Sequence, residues 1–413
     1  MANVPVTLTM NGTAIVPDPG QGPVGPQGPT GPQGPAGPKG PAGPPGLSGG
    51  ADSVFYTHPS MRFVDPDNGS DSLHGLTPTG AKKTIQAAYD AVPINLTNRN
   101  GVPIADRQGG TVILMPGRHD VGPGVKMWRS KPCVVAGLLP TGNPRPSISG
   151  GRVVNPGVIV YSDQQPQELF SIGLDPLDTG HNSYGYVFQD FHYELAGSTK
   201  YVIHGIQNNA LTVRNIAGRH TNPVSGNYAI RVVNASDTTG ADASWGRIHN
   251  NWTHGTGLLQ VLATSPQGLN VNQWVVRDNV CHGFTGMTSP FIYMERAIGC
   301  TIADNNLETA AIAIEFGGDS GGENNVQNHL RGNNGEGVAV WLKADRLWSS
   351  RMDDMYNRHP AEGDIIANLG ANTGHNIITE TVSTPFNNLY SSNPWTDAGK
   401  GNVFLDPTKL ASL

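Results

Sequence analysis

Asp190, His192 and Glu194 alternate within Phe188-Gln-Asp-Phe-His-Tyr-Glu194, so an extended backbone would set all three on one face. Two carboxyls and an imidazole placed together can hold sugar hydroxyls or serve as acid and base on a glycosidic bond. The competing reading is an exposed polar strand face. A second pair, Asp278 and Asp304, would stand on adjacent strands about 4.8 Å apart. Retaining glycosidases separate their two carboxyls by about 5 Å. A third group, Trp341, Trp348, Arg351 and Tyr356, concentrates residue types that recur at binding hot spots. With His192 these form the candidate glycan-binding set. For the last group the competing role is a cap or subunit contact. Glu295-Arg296 offers a substrate clamp or, more simply, an edge ion pair.

The elements that would position these residues show in a recurring unit: an apolar residue, any residue, then Asp or Asn. It occurs as Phe188-Gln-Asp190, Val213-Arg-Asn215, Ile248-His-Asn250, Val276-Arg-Asp278, Ile302-Ala-Asp304 and Val326-Gln-Asn328. Successive Asp/Asn positions lie 25, 35, 28, 26 and 24 residues apart, the length of one solenoid coil with its loops. The spacing predicts one inward apolar stack and one stack of Asx side chains at a bend. Asp and Asn at such bends satisfy turn N–H groups, so Asp190, Asn215, Asn250, Asp278, Asp304 and Asn328 read first as a structural ladder. Asn251, Asn279, Asn305 and Asn306 fit the same role. That reading is favoured over catalysis, and no catalytic residue is assigned. If the chain is an enzyme, Asp278, Asp304, Asp190 and Glu194 are the candidates.

Upstream, Gly falls at every third position from Gly22: Gly22, Gly25, Gly28, Gly31, Gly34, Gly37, Gly40, Gly43 and Gly46, nine triplets with Pro second in eight. Only Gly fits at the common axis of three polyproline-II chains, so residues 22–50 read as a collagen-like stalk in a homotrimer. Residues 1–21 hold alternating Val6, Leu8 and Met10 followed by Asn11-Gly12, a hairpin signal. The hairpin is expected to be an attachment element. Residues 51–121 are expected to open the solenoid and supply a helix over Ala81 to Ala91, ended by Pro93. Residues 122–340 form the body. Residues 341–413 form a C-terminal capping or trimer-contact region, with helical apolar spacing at Ala344, Trp348, Met352 and Met355.

Phe63-Val-Asp-Pro-Asp-Asn-Gly-Ser-Asp-Ser-Leu-His-Gly-Leu-Thr-Pro78, the helix after it, and Gly109-Gly-Thr-Val-Ile-Leu-Met-Pro-Gly117 resemble the opening of pectate-lyase-like proteins. The resemblance implies an all-β, right-handed, single-stranded parallel β-helix with an N-terminal capping helix. That superfamily mixes lyases, hydrolases, tailspikes and binders. Its lyases use a basic residue beside acidic metal ligands, and no such cluster is evident. Asp65, Asp67, Gly69 and Asp71 mimic part of a calcium loop, but Leu76 occupies the position of its final Glu, so a hydrogen-bonded turn is expected.

Composition narrows the classes. The 413-residue chain has a net charge of −6, which argues against a nucleic-acid surface. No apolar run is long enough to span a membrane. Met1-Ala-Asn-Val-Pro-Val lacks the basic start and apolar core of a signal peptide. Cys133, Cys281 and Cys300 show no paired spacing, so neither zinc nor any other cofactor is expected, and buried free thiols are. A collagen-like stalk, a β-helix body and no export signal together resemble a minor tail protein, fibre or spike of tailed bacteriophages. That resemblance implies location at the virion tail tip after assembly in the host cytoplasm. It also implies docking on other tail-tip or baseplate proteins through residues 1–21, and contact with a host cell-surface polysaccharide or glycolipid. The alternative is a tailspike depolymerase, a glycoside hydrolase or lyase.

Overall fold

A computed structural model describes residues 9–10, 13–14, 60–93, 110–128, 131–138, 148–149, 152–153, 157–173, 183–206, 208–234, 243–263, 270–318, 324–353, 356–357, 365–379 and 395–405. The chain divides into two units, residues 1–49 and 50–413. In the first, Thr9–Met10 pairs antiparallel with Thr13–Ala14, Met10 against Thr13, while Asn11-Gly12 lies outside the described residues. The Gly-X-Y segment lies outside the described residues.

The second unit is an all-β parallel solenoid. Each coil lays one strand on each of three faces. The first face is a sheet of twelve strands running from Met61–Val64 through Val187–Gln189, Thr212–Arg214 and Arg247–His249 to Val403–Leu405. The second and third faces share a sheet of seventeen strands. On the second face His192–Leu195, Ala217–His220, Trp252–His254 and Val280–His282 stack in register. On the third, Tyr201–Ile206, Tyr228–Asn234, Gly257–Ala263 and Ile292–Glu295 do the same. A corner sheet of five two-residue strands, Ala243–Ser244 to Leu347–Trp348, closes five consecutive coils.

The inward stack follows the sequence unit. Phe188, Val213, Ile248, Val276 and Ile302 pair in succession and are all fully buried. Each such side chain removed from water contributes about 1.5–3 kcal/mol. The next member is Leu330, not Val326, because Ile302 pairs with Leu330 while Val326 belongs to the corner sheet opposite Ile298.

The helix is shorter than expected, Ile85–Ala91. Thr84 caps it by accepting from the Ala87 N–H, and the Asp71 carboxylate accepts from the Lys83 and Thr84 N–H groups. Ile85, Ala88 and Tyr89 are its buried side chains. The Asp65 loop is a hydrogen-bonded turn, its Oδ1 accepting from the N–H groups of Asp67 and Asn68.

The expected C-terminal helix is absent from the described residues. Ala344, Trp348 and Met352 lie on three different strands, Asn334–Ala344, Leu347–Trp348 and Arg351–Asp353. Two-residue turns between these strands set the three residues four apart, which imitates a helical period. Coils continue past residue 341, with Met352 and Ile378 extending the inward column and the strand Val403–Leu405 pairing onto the coil of Ile378. Cys133, Cys281 and Cys300 are buried free thiols, and burial pushes each up to about 12.

Candidate functional site

The residues singled out from sequence do not converge. Asp190 lies at a bend with φ 61°, and the following strand starts at His192, so the three-residue face does not form. His192 is 2% exposed and Glu194 6% exposed, which removes His192 from the glycan-facing candidates. Glu194 lies 3.6 Å from Arg118, whose guanidinium covers the Tyr161 ring. Trp341 is 1% exposed and belongs to the core, so it cannot stack on a sugar. Trp348 donates its indole N–H to the Asn372 carbonyl, and Arg351 pairs with Asp353. Tyr356 begins the strand Tyr356–Asn357, and its side chain lies outside the described set. Glu295 accepts hydrogen bonds from the Tyr293 hydroxyl and the Ala263 N–H, while Arg296 is buried, so the pair is not a surface clamp.

The bend column is structural. Asp190, Asn215, Asn250, Asp278 and Asp304 all have positive φ, between 53° and 61°, and Gly332 continues the column at 61°. Asn and Asp tolerate this left-handed geometry better than most residues. Asn215 donates to Asp190, and Asn250 to Asn215, at 2.9 and 2.6 Å. Asn328 is not a member. It sits at the other corner, where its Oδ1 accepts from the Cys300 N–H. Asp278 is 49% exposed and ion-paired with Arg277.

The residue after each bend forms a second, buried ladder. Asn251, Asn279 and Asn305 each donate to the next side-chain carbonyl, at 2.9, 2.9 and 2.8 Å, ending on Asn333. Each also donates to a carbonyl of the preceding coil, Val213, Ile248 or Val276. Asn306, grouped with these from sequence, instead lies on the strand and donates to Glu308 at 2.6 Å.

These ladders fix the strand that follows them, and its third residue points outward. At that register position stand Arg219, His254, His282, Glu308 and Glu336 on consecutive coils. The His254 and His282 rings are stacked, 5.0 Å apart and 10° from parallel. His282 Nε2 lies 3.8 Å from Glu308 Oε2. Immediately after the row the backbone turns left-handed at Thr309 and Gly337, both with φ 64°. A β-branched residue pays a conformational penalty in that region, and such strain gathers at functional sites.

The third face carries a parallel polar row: His204, Arg231, Gln260, Tyr293, Glu315 and Lys343. Its members are coupled. Glu168 is 3.7 Å from His204, and this neighbour above all holds the carboxyl below the usual carboxylate range. Arg231 donates to Gln260 and lies over the Tyr201 ring. Lys343 meets Glu315 at 2.8 Å. Burial, then the Glu295 charge, drive the Tyr293 hydroxyl well up, so it remains a donor. Gly317 makes room for that ring, since a Cβ there would overlap the hydroxyl.

Tyr, Arg, Gln and carboxylates in continuous rows supply stacking faces and bidentate hydrogen bonds, the chemistry of saccharide recognition. Two carboxylates in register, Glu308 and Glu336, also offer acid and base positions. Among the described residues no group of three His, Cys, Asp or Glu is arranged to hold a metal. Separately, a cleft of about 570 Å³ opens between the helix and residues 120–126, lined by Gln86, Asp90, Lys126 and Trp128 among others.

The outward row was missed in the sequence but is written there. Asn251-Trp-Thr-His-Gly, Asn279-Val-Cys-His-Gly, Asn305-Asn-Leu-Glu-Thr and Asn333-Asn-Gly-Glu-Gly carry it at their fourth position.

Neither a protein-family model nor any curated protein matches the sequence. Among solved structures, the chain is similar to DFA-IIIase from Arthrobacter chlorophenolicus A6 in complex with GF2. That match has 12% identity and a TM-score of 0.50, covering 75% of this chain and 85% of that one. A cysteine-to-alanine mutant of the same enzyme matches at 11% identity and TM-score 0.50, covering 84% of this chain and 85% of that one. At this identity the likeness establishes the fold.

Proposed function

We propose that this chain is the glycan-engaging subunit of a phage tail fibre or spike. Residues 1–21 dock on other tail-tip proteins. Residues 22–50 wind with two further copies into a collagen-like stalk. The solenoid, right-handed and pectate-lyase-like, faces a host cell-surface polysaccharide. The observation that carries glycan engagement is the outward row of Arg219, His254, His282, Glu308 and Glu336, flanked by the polar row of the third face. Rows repeating at about 4.8 Å per coil suit an extended polymer lying along the axis. Three copies would convert weak single contacts into avidity.

The test applies full-length chain and residues 50–413 to an array of purified bacterial capsular and wall polysaccharides, with mass measured by sedimentation. Expected are a trimeric full-length chain and retention that falls with Glu308→Gln. A monomeric full-length chain, or no retained polysaccharide, would sink the proposal.

Cleavage is the second reading, favoured by the register pairing of Glu308 with Glu336. Strands about 4.8 Å apart bring such carboxyls near the ~5 Å of retaining glycosidases. DFA-IIIase, whose fold the solenoid shares, is named as an enzyme. New reducing ends from a retained polysaccharide would select this reading over binding alone.

A further inference from the structure

Trp245 stands at the corner just before the first-face strand Arg247–His249, on which Arg247 and His249 face outward on either side of the buried Ile248. Arg214 and Arg277 are the register partners of His249 on the coils before and after. Three guanidiniums, an imidazole and an indole therefore share two coil spacings, about 10 Å along the axis. In a chain of net charge −6 this is a local reversal of sign.

Trp245 needs an explanation that packing does not supply. It is 50% exposed and holds φ 60°, a conformation that bulky side chains adopt at a cost. Its neighbours in this corner column, Ala210 and Gln273, also have positive φ, as do Gly299 and Gln327 on the coils beyond. The Trp245 indole N–H donates to Gln273 Oε1 at 2.9 Å, which fixes the ring while leaving half its surface to solvent. Beneath it, Gly246 packs against the buried Trp274 ring.

The charges facing this group are few. Arg277 lies 3.5 Å from Asp278, and Arg214 donates twice to Gln189, at 2.9 and 2.7 Å. Arg247 meets no carboxylate among the described residues. Burial, then the Arg277 and Arg214 charges, hold His249 below its ordinary value, so it stays neutral and adds hydrogen-bonding capacity without charge.

We infer that this surface binds an acidic polysaccharide, one pyranose stacking on Trp245 while neighbouring carboxylates are taken by Arg247, Arg277 and Arg214. Planar guanidiniums match carboxylates bidentately, and an indole face suits the apolar side of a pyranose. Nucleic acid fits less well, because three arginines neutralise too few phosphates to hold it at physiological salt. The inference rests on the proposed function only for the idea that the ligand is a glycan. It uses a different face from the His254–Glu336 row.

The test titrates the full-length chain by calorimetry with an alginate hexasaccharide, neutral maltohexaose and a single-stranded oligothymidylate. Alginate is expected to bind with an affinity that falls as salt rises, and maltohexaose at least tenfold more weakly. Trp245→Gly and Arg247→Gln should each weaken alginate by about tenfold, the loss of one charge-assisted or stacking contact. Glycine suits φ 60°, so Trp245→Gly keeps the coil folded. No alginate binding at millimolar concentration, equal affinity for maltohexaose, tighter binding of oligothymidylate, or wild-type affinity in both variants would each overturn the inference. An array polysaccharide lost with Glu308→Gln but kept with Trp245→Gly belongs to the other face, so either reading can fail without the other.

Discussion

Glu308 and Glu336 are register partners on consecutive coils, and each precedes a left-handed residue, Thr309 or Gly337. His282 approaches Glu308 from the other side. Replacing Glu308 by Gln should weaken retention of an array polysaccharide about tenfold, the scale of one hydrogen bond to a charged group. Asp304→Asn should leave retention unchanged, because Asp304 sits at an exposed bend. The reverse ranking in a surface-binding measurement would return the site to the bend column.

The buried amide ladder predicts a contrast in stability. Asn279 Oδ1 accepts from Asn251, and Asn279 Nδ2 donates to Asn305 and the Ile248 carbonyl. Asn279→Ala orphans several buried groups at about 1–3 kcal/mol each. Asn250→Gly, at an exposed bend whose φ of 57° suits glycine, should cost under about 1 kcal/mol. Urea midpoints of the two variants decide the point, and equal shifts would contradict the ladder.

These ladders show how far the sequence could be read. The Asp/Asn period was visible because αL bends favour those residues, and it located the inward stack from Phe188 to Ile302. It lost register at Val326, where Gly332 takes the bend and no Asx marks it. Asn333 went unnoticed for the same reason. Pattern alone could not tell which aromatics turn inward. Trp341 and Trp348 are equally conspicuous in sequence, yet only the first is core. The outward His and Glu residues were hidden because a period of about 28 with changing residue type looks like no motif until the coil frame is known.

Trp341→Ala should lower stability by about 3–5 kcal/mol, the cost of emptying a large core site. Glycan retention by the fraction that remains folded should be normal. A folded variant that loses retention specifically would mean that Trp341 reaches the ligand.

Acid should destabilise the fold through buried imidazoles. Burial holds His119, His192 and His220 below the ordinary 6.5. Above 6.5 both folded and unfolded chains are neutral at these sites, so stability there is independent of pH. Below 6.5 the unfolded chain takes up protons that the folded chain refuses, so stability falls as pH drops. The urea midpoint should decrease from pH 7.5 to 5.5, and His119→Asn should flatten that slope. A midpoint that rises on acidification would contradict the assignment.

For the proposed stalk, Gly34→Ala places a methyl group on a triple-helix axis that admits only hydrogen. The expected result by sedimentation and protease digestion is a trimeric body with a locally cleavable stalk. Dissociation to monomers would make the stalk, rather than the solenoid, the trimer clamp.

The amide stack that ends on Asn333 has a direction, since Asn251, Asn279 and Asn305 each give N–H to the coil ahead and to the carbonyl behind. A solenoid laced this way resists pull unevenly. Force applied along the axis loads all three faces and the stack together. Force applied at the last coil strains one coil's bonds at a time. An axial load therefore meets the stiff direction, while a C-terminal end lifted sideways would peel off coil by coil.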